Sequence, residues 1–254
     1  MNRKISPLSP ARWGRSFSRL NFRRVEEGKV ILGWLDPRPG ERILDIGCGD
    51  GYYDWRISRT GAAVTGIDLH EKRLAFARSR YGCDRLEFIL QDAEGADFPQ
   101  GSFDKALSLC VMEHLGDDER VMQNVFHALR PGGRFTFSAD SLSSPGITPE
   151  ERESHRRRYA VNTFYTEEVV RRKLDRAGFD IEASGYVLDS PGDLRLVRLS
   201  WKLDVLPAAL VPARFLGYLL LGAVHRVVSA PRRRPPEAAK AGLTLIVRAR
   251  KRAG

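Results

Sequence analysis

Residues 42–53, RILDIGCGDGYY, constrain this chain more than any other stretch. An apolar run reads as a short buried strand. Glycines at 47, 49 and 51 then mark a tight turn, where the backbone can close around a ligand. Carboxylates crowd the same turn at Asp45, Asp50 and Asp54. A diphosphate needs N–H donors and positive charge at such a place, so these carboxylates oppose one and suit a cation. The G-x-G-x-G spacing also lacks the last small residue of the dinucleotide fingerprint, because Tyr52 and Tyr53 follow. Asp50 reads equally well as a helix cap, and Asp54 as a solvated side chain.

Downstream, AVTGID, RLEFILQD, FDKALSL and RFTFSAD read as strands. They alternate with helical stretches that stop at Gly61, Gly82 and the Arg-Pro-Gly-Gly exit at 130–133. This order predicts right-handed crossovers and an α/β fold, with a parallel sheet covered on both faces. A looser stretch follows, then a helix capped by Thr166 and ended at Gly178, and two closing strands, DIEASGYVL and GLTLIVRARK. In such sheets ligands lie beyond the carboxyl ends of the strands. Asp68, about 20 residues past the turn, stands where a carboxylate accepts from ribose hydroxyls. Asp92 ends the third strand, near where an adenine edge would lie. The ligand is therefore an adenosine compound with a ribose, no phosphate and a positive charge. S-adenosylmethionine fits this description, whereas NAD and ATP fit poorly.

ILDIGCGDG, GIDLH, QDAEGADFPQGSFDKALSLCVMEHL and LRPGGRF occur in this order within residues 42–140. With them the chain resembles the class I S-adenosylmethionine-dependent methyltransferases, particularly the branch that includes quinone and sterol methyltransferases. The resemblance implies a Rossmann-like seven-stranded sheet of order 3-2-1-4-5-7-6 with the last strand antiparallel. It also implies that Asp45 and the backbone of Gly47, Cys48, Gly49 and Gly51 hold the methionine end of the cofactor. Asp68, with Leu69 beside it, would take the ribose, Asp92 and Ala93 the adenine, and the backbone near Cys110 the amine. Tyr52 and Tyr53 stand where the family often has a small residue, so a ring here would narrow the cofactor entrance.

Methyl transfer needs little machinery beyond holding nucleophile and methyl in line, with a base where the nucleophile carries a proton. His114, four residues after Cys110, is the candidate base; it reads equally as the start of the next helix. Glu113 reads as a packing or capping residue. No metal site is expected. HRRRYAVNTFYTEE, residues 155–168, reads as a loop over the cleft, with His155, Arg156, Arg157, Arg158, Tyr159 and Tyr165 as candidate acceptor contacts. Three arginines there suit an anionic head group, or form a solvated loop balanced by Glu150, Glu151 and Glu153.

The net charge of +10 is uneven. Residues 1–42 carry ten Lys/Arg against four Asp/Glu and residues 194–254 thirteen against two, while residues 43–149 carry eleven against sixteen. The division expected is a basic helical extension (1–41), a core (42–193), an apolar and basic helical insertion (194–241) and the final strand (242–254). Within the insertion, residues 205–228 are apolar but interrupted by Arg214 and by His225–Arg226, and Pro207 and Pro212 would disturb a spanning helix. Three roles stay open for it: an interfacial helix on anionic lipid, a cap on the site, or a homodimer contact. Trp201, Phe215 and Tyr218 in the insertion, Arg232–Arg234 after it, and Trp13, Phe17 and Phe22 in the basic N-terminus belong with the interfacial reading. The acceptor is expected to be a small or lipid-linked molecule, or a soluble metabolite if the insertion is a lid. Nucleic acid is disfavoured, because the basic residues sit among Leu and Val without a stacking platform. Three widely spaced cysteines and the lack of a signal-type apolar run point to a reducing cytoplasm.

Overall fold

The structure is a computed structural model and describes residues 20–229 and 235–253. Trp13, Phe17 and Arg232–Arg234 lie outside the described residues. Seven strands form one sheet: β1 Arg42–Ile46, β2 Ala63–Asp68, β3 Leu86–Leu90, β4 Phe103–Leu109, β5 Leu129–Asp140, β6 Phe179–Val187 and β7 Thr244–Lys251. Their order is β3-β2-β1-β4-β5-β7-β6. The first five run parallel, and β7 pairs antiparallel with both β5 and β6. This is the topology expected.

The period-2 alternation of strands divides the core between the faces. Leu44, Ile46, Phe135, Phe137 and Val247 face helices α4 (Asp118–Ala128) and α6 (Glu167–Arg176). Ile43, Leu107 and Ile246 face α1 (Phe22–Leu35), α2 (Tyr52–Ser58) and α7 (Pro191–Asp204). Helix α3 (Glu71–Tyr81) covers the β2–β3 edge through Leu74 and Ala77. Because the central strands are buried on both sides, they read as nearly unbroken apolar runs.

Two expectations are corrected. The stretch read as a loop, residues 155–168, begins inside a helix, α5 (Pro149–Tyr159), and only residues 160–166 form a loop before α6. Thr148 and Glu151 form a reciprocal capping box at the start of α5 and Pro149 occupies the first turn. The helix α8 (Val211–Ser229) is continuous despite Pro212, which sits in its first turn, where a missing N–H removes no intrahelical bond. Over Val211–Val228 its mean hydropathy is 1.2, so by length and composition alone it could cross a membrane. Its inner face is pinned to the protein, however. Tyr218 hydrogen-bonds Asp204, and His225 lies 3.1 Å from Asp193 and stacks on Phe22.

Candidate active site

The turn after β1 is built by close approach. Gly47 has φ +78°, and a Cβ there would meet Val111 Cγ2 at 2.4 Å. Its N–H and that of Cys48 both donate to Ile67 O, at 2.8 and 2.9 Å. Gly49 N donates to Asp68 Oδ2 at 2.9 Å, which ties the turn to the end of β2. Nothing lies within 4 Å of where a Gly49 Cβ would stand, so that face of the turn is open.

Beside the turn, the carboxyl ends of β1, β2, β3 and β4 enclose a cavity of about 450 Å³. Of the expected cofactor residues, Gly47, Asp68, Leu69, Asp92, Ala93 and Cys110 line it, together with Arg24, Arg73, Gln91 and His114. Gly49, Gly51 and the buried Asp45 are not in its wall, and neither is Cys48, whose side chain packs beside Leu74 and Phe88. Tyr52 and Tyr53 do not narrow it. Tyr53 instead packs on α1, where Gly28 leaves room for its ring, and its hydroxyl donates to Arg24 O at 2.7 Å.

Asp45 and Asp54 are both buried. Asp54 is thus not the solvated residue of the sequence reading, whereas Asp50 does cap locally, its Oδ1 accepting from Tyr52 N at 3.2 Å. Burial and the facing carboxyl push Asp45 well above the carboxylate range, and burial pushes Asp54 up to about 7. The pair therefore shares a proton, and Asp45 Oδ1 has no hydrogen-bond partner. Asp68 and Asp92 in the cavity wall and the uncovered face of the glycine turn fit the ribose hydroxyls and ammonium of S-adenosylmethionine, beside the guanidiniums of Arg24 and Arg73. Asp45, Asp50 and Asp54 around the turn oppose a diphosphate.

A second, enclosed cavity of about 50 Å³ adjoins the first. Arg24 and His114 line both and form the partition between them. Helix α1 supplies Arg23, Arg24 and Glu27, β5 supplies Asp140, and α5 supplies His155 and Tyr159. Glu27 is held by Arg24 (3.0 Å), Thr244 Oγ1 (2.9 Å) and Cys110 Sγ (3.1 Å). Burial raises the Cys110 thiol, so it stays protonated. Asp140 accepts from His155 Nε2 at 2.6 Å. Burial alone would raise Asp140, but this bond and the charges of His155 and Arg24 hold it below the usual range.

Glu113 is fully buried, its carboxyl raised by burial and by Asp140; neither oxygen has a hydrogen-bond partner, and Oε1 lies 3.9 Å from His114 Nε2. Ligand atoms of Cys110, Glu113 and Asp140 lie within 4.8 Å of one another, close enough to gather a cation. The neighbouring Arg24 guanidinium supplies positive charge there. Burial opposes that charge, yet Glu27, Glu113 and Asp140 raise Arg24 well above its normal value. His114 Nδ1 lies 3.3 Å from Ala160 O, a geometry in which Nδ1 carries the proton and Nε2 the lone pair. Burial holds this imidazole below 6.5, hence neutral at physiological pH.

The remaining acceptor candidates separate. Arg156 ties down the carbonyls of Val161 and Asn162, Arg157 is exposed and pairs with Glu153, and Arg158 reaches Trp201 O. Successive helix residues point about 100° apart, so three in a row cannot grip one anion. Tyr165 is a core residue bonded to Asp118. The sequence reading missed Arg24, Glu27, Asp140 and Trp201. Asp140 alone carried a signal, as a carboxylate ending a strand at the ligand edge.

Residues 44–137 match the methyltransferase domain family. The ubiquinone biosynthesis O-methyltransferase of Paracidovorax citrulli is 36% identical over 125 residues, 46% of this chain and 52% of that protein. The 27-O-demethylrifamycin SV methyltransferase of Amycolatopsis mediterranei is 35% identical over 131 residues, 50% and 48% of the two chains. This chain thus spans about half the length of these curated relatives. The Haemonchus contortus phosphoethanolamine N-methyltransferase 2, solved with S-adenosylhomocysteine, superposes with a TM-score of 0.69 over 96% of this chain and 58% of its own. At 20% identity that similarity concerns the fold.

The acid pair has a measurable consequence. A carboxyl whose folded pKa is raised favours the fold below its unfolded pKa of about 4, and that contribution is lost as pH rises towards about 7. Asp54→Asn, whose amide can donate to Asp45, removes the repulsion. The cofactor-free variant is expected to match the parent's melting temperature at pH 5 and exceed it at pH 8. Scanning fluorimetry at both pH values checks this.

Proposed function

The chain carries a class I S-adenosylmethionine-dependent methyltransferase domain across residues 44–137, and from that premise we propose that it methylates a small amphipathic acceptor. One observation carries this reading: the cofactor-sized cavity and the enclosed polar cavity meet at a shared wall of Arg24 and His114. When bound, the cofactor supplies a methyl group activated by a sulfonium. Asp68 would hold its ribose, Asp92 and Ala93 its adenine, and Asp45 with the Gly47 turn its methionine end. Arg24 pairs with Glu27 at 3.0 Å, and the His155 bond together with the Arg24 charge holds Asp140 below the usual carboxylate range beside the acceptor. His114 offers Nε2 as the proton acceptor for an acceptor hydroxyl or amine.

The insertion serves two roles in this reading. Helix α7 closes the acceptor cavity with Val197 and Trp201. Helix α8 turns Leu216, Leu219, Leu220, Val224 and Val227 to the outside, a contiguous apolar face next to exposed Arg226. That combination suits an anionic bilayer surface, where an amphipathic acceptor would be found.

Three measurements test these statements. Incubation with methyl-labelled cofactor and a total lipid extract should place label in an extractable lipid. No transfer, together with calorimetric silence towards S-adenosylhomocysteine, defeats the enzyme reading. His114→Gln should lower kcat about a hundredfold or more with KM little changed. It should also abolish the acid limb of the pH–rate profile, which lies below pH 6.5 because burial lowers this imidazole. The parent protein should sediment with phosphatidylglycerol vesicles and the Leu216→Glu/Leu220→Glu variant should not; equal sedimentation removes the membrane role alone.

A further inference from the structure

His114 stands in the wall between the two cavities, yet the element that bears it is only one short helical turn, Met112–His114. So short a turn fixes its own residues poorly, because its internal hydrogen bonds are few and badly aligned. What fastens it comes from residues far along the chain. Asn162 N and Thr163 N both donate to Glu113 O, at 2.8 and 3.1 Å. The Asn162 side chain donates from Nδ2 to His114 O at 2.8 Å and to Leu115 O at 3.1 Å. Ala160 O faces the His114 ring, 3.3 Å from Nδ1. Residues 160–163 thus grip three consecutive carbonyls and the imidazole itself.

The grip is held from behind. Arg156 donates from Nη1 to Val161 O at 3.1 Å and to Asn162 O at 2.9 Å, and its guanidinium lies 4.8 Å from the centre of the Phe164 ring. Ala160 ends α5 at φ +53° and ψ +49°, a left-handed conformation that costs a residue with a Cβ. Such a conformation persists where its surroundings over-determine it. Asn162 is exposed, so burial does not fix its side chain. The two carbonyls do, and they require the NH2 end of the amide. An aspartate of the same shape would instead set an oxygen against two carbonyl oxygens. The same loop leads directly from Tyr159, so it ties the acceptor side of the enclosed cavity to the partition.

We propose that Asn162 is a positioning residue for methyl transfer: it sets His114 in the partition from the end of α5. Asn162 lines neither cavity, so it acts through His114 and touches neither acceptor nor cofactor. The assignment rests on the role given to His114 in the function proposed above; the grip on the turn does not.

The full chain and its Asn162→Asp variant are compared in methyl transfer from labelled cofactor to the total lipid extract. The maximal rate should fall about ten- to hundredfold, the effect of a misplaced reacting group. The half-saturating amount of extract and the affinity for S-adenosylhomocysteine should stay within about twofold of the parent. In a His114→Gln background the same substitution should cost no more than about twofold further, because the residue it positions is gone. Nuclear magnetic resonance of histidine-labelled protein gives a readout without turnover. With the His114 ring signal assigned by its loss in His114→Gln, Asn162→Asp should move that signal and leave the other histidines in place. An unchanged maximal rate, equal losses in both backgrounds, or an unmoved His114 signal would overturn the proposal. A parent protein that transfers no methyl group would instead strike the methyl-transfer reading, and the ring signal would still decide whether Asn162 holds His114.

Discussion

The contact on which the rest of this molecule depends is the clasp between the glycine turn and the end of β2. Two consecutive N–H groups, of Gly47 and Cys48, share the Ile67 carbonyl, and Gly49 donates to the Asp68 carboxylate. Val111, just beyond β4, sits where a Gly47 side chain would be. A single turn thereby brings together the carboxyl ends of three adjacent strands. These ends bound the cofactor cavity, and its shape follows from how closely they approach.

The second organising constraint is electrostatic. Asp45, Asp54, Glu27, Glu113 and Asp140 all converge behind or beside that cavity, most of them buried. Ionised together they would repel one another strongly in a desolvated site. The fold answers in two ways. Burial raises Glu113 and the Asp45–Asp54 pair, which shares a proton, and Arg24 and His155 arrive from α1 and α5 to pair with Glu27 and Asp140. So arranged, the buried carboxyls are protonated or paired, and a polar hollow lies beside the larger cavity. Arg23 and Arg24 of α1 turn inward to the enclosed cavity, whereas Arg226 of α8 faces out.

Some of this was legible from residue order and some was not. The strands showed because buried parallel strands are short apolar runs ended by glycine, and the sheet order followed with the family resemblance. Asp68 and Asp92 showed because they end strands. Helix α5 did not, since its residues 149–159 are almost wholly polar and offer no apolar period; its capping box was the signal overlooked. Pro212 suggested a break, yet lies where a helix tolerates proline. Nothing local marks Arg24 or Glu27 as site residues, because their partners Cys110, Asp140 and Thr244 are separated from them by most of the chain.

Residue order by itself determined the α/β alternation, the glycine turn with its carboxylates and the aspartates at the ends of β2 and β3, since each is a property of neighbours along the chain. Tertiary structure alone decided which charges are buried together, which tyrosine is core and which lines a cavity, and that the cavity at the strand ends shares a wall with a second one lined by α1, α5 and α7. The physical reason is range. Backbone conformation and strand periodicity are set within a few residues, whereas desolvation and charge pairing depend on what packing brings within a few ångströms.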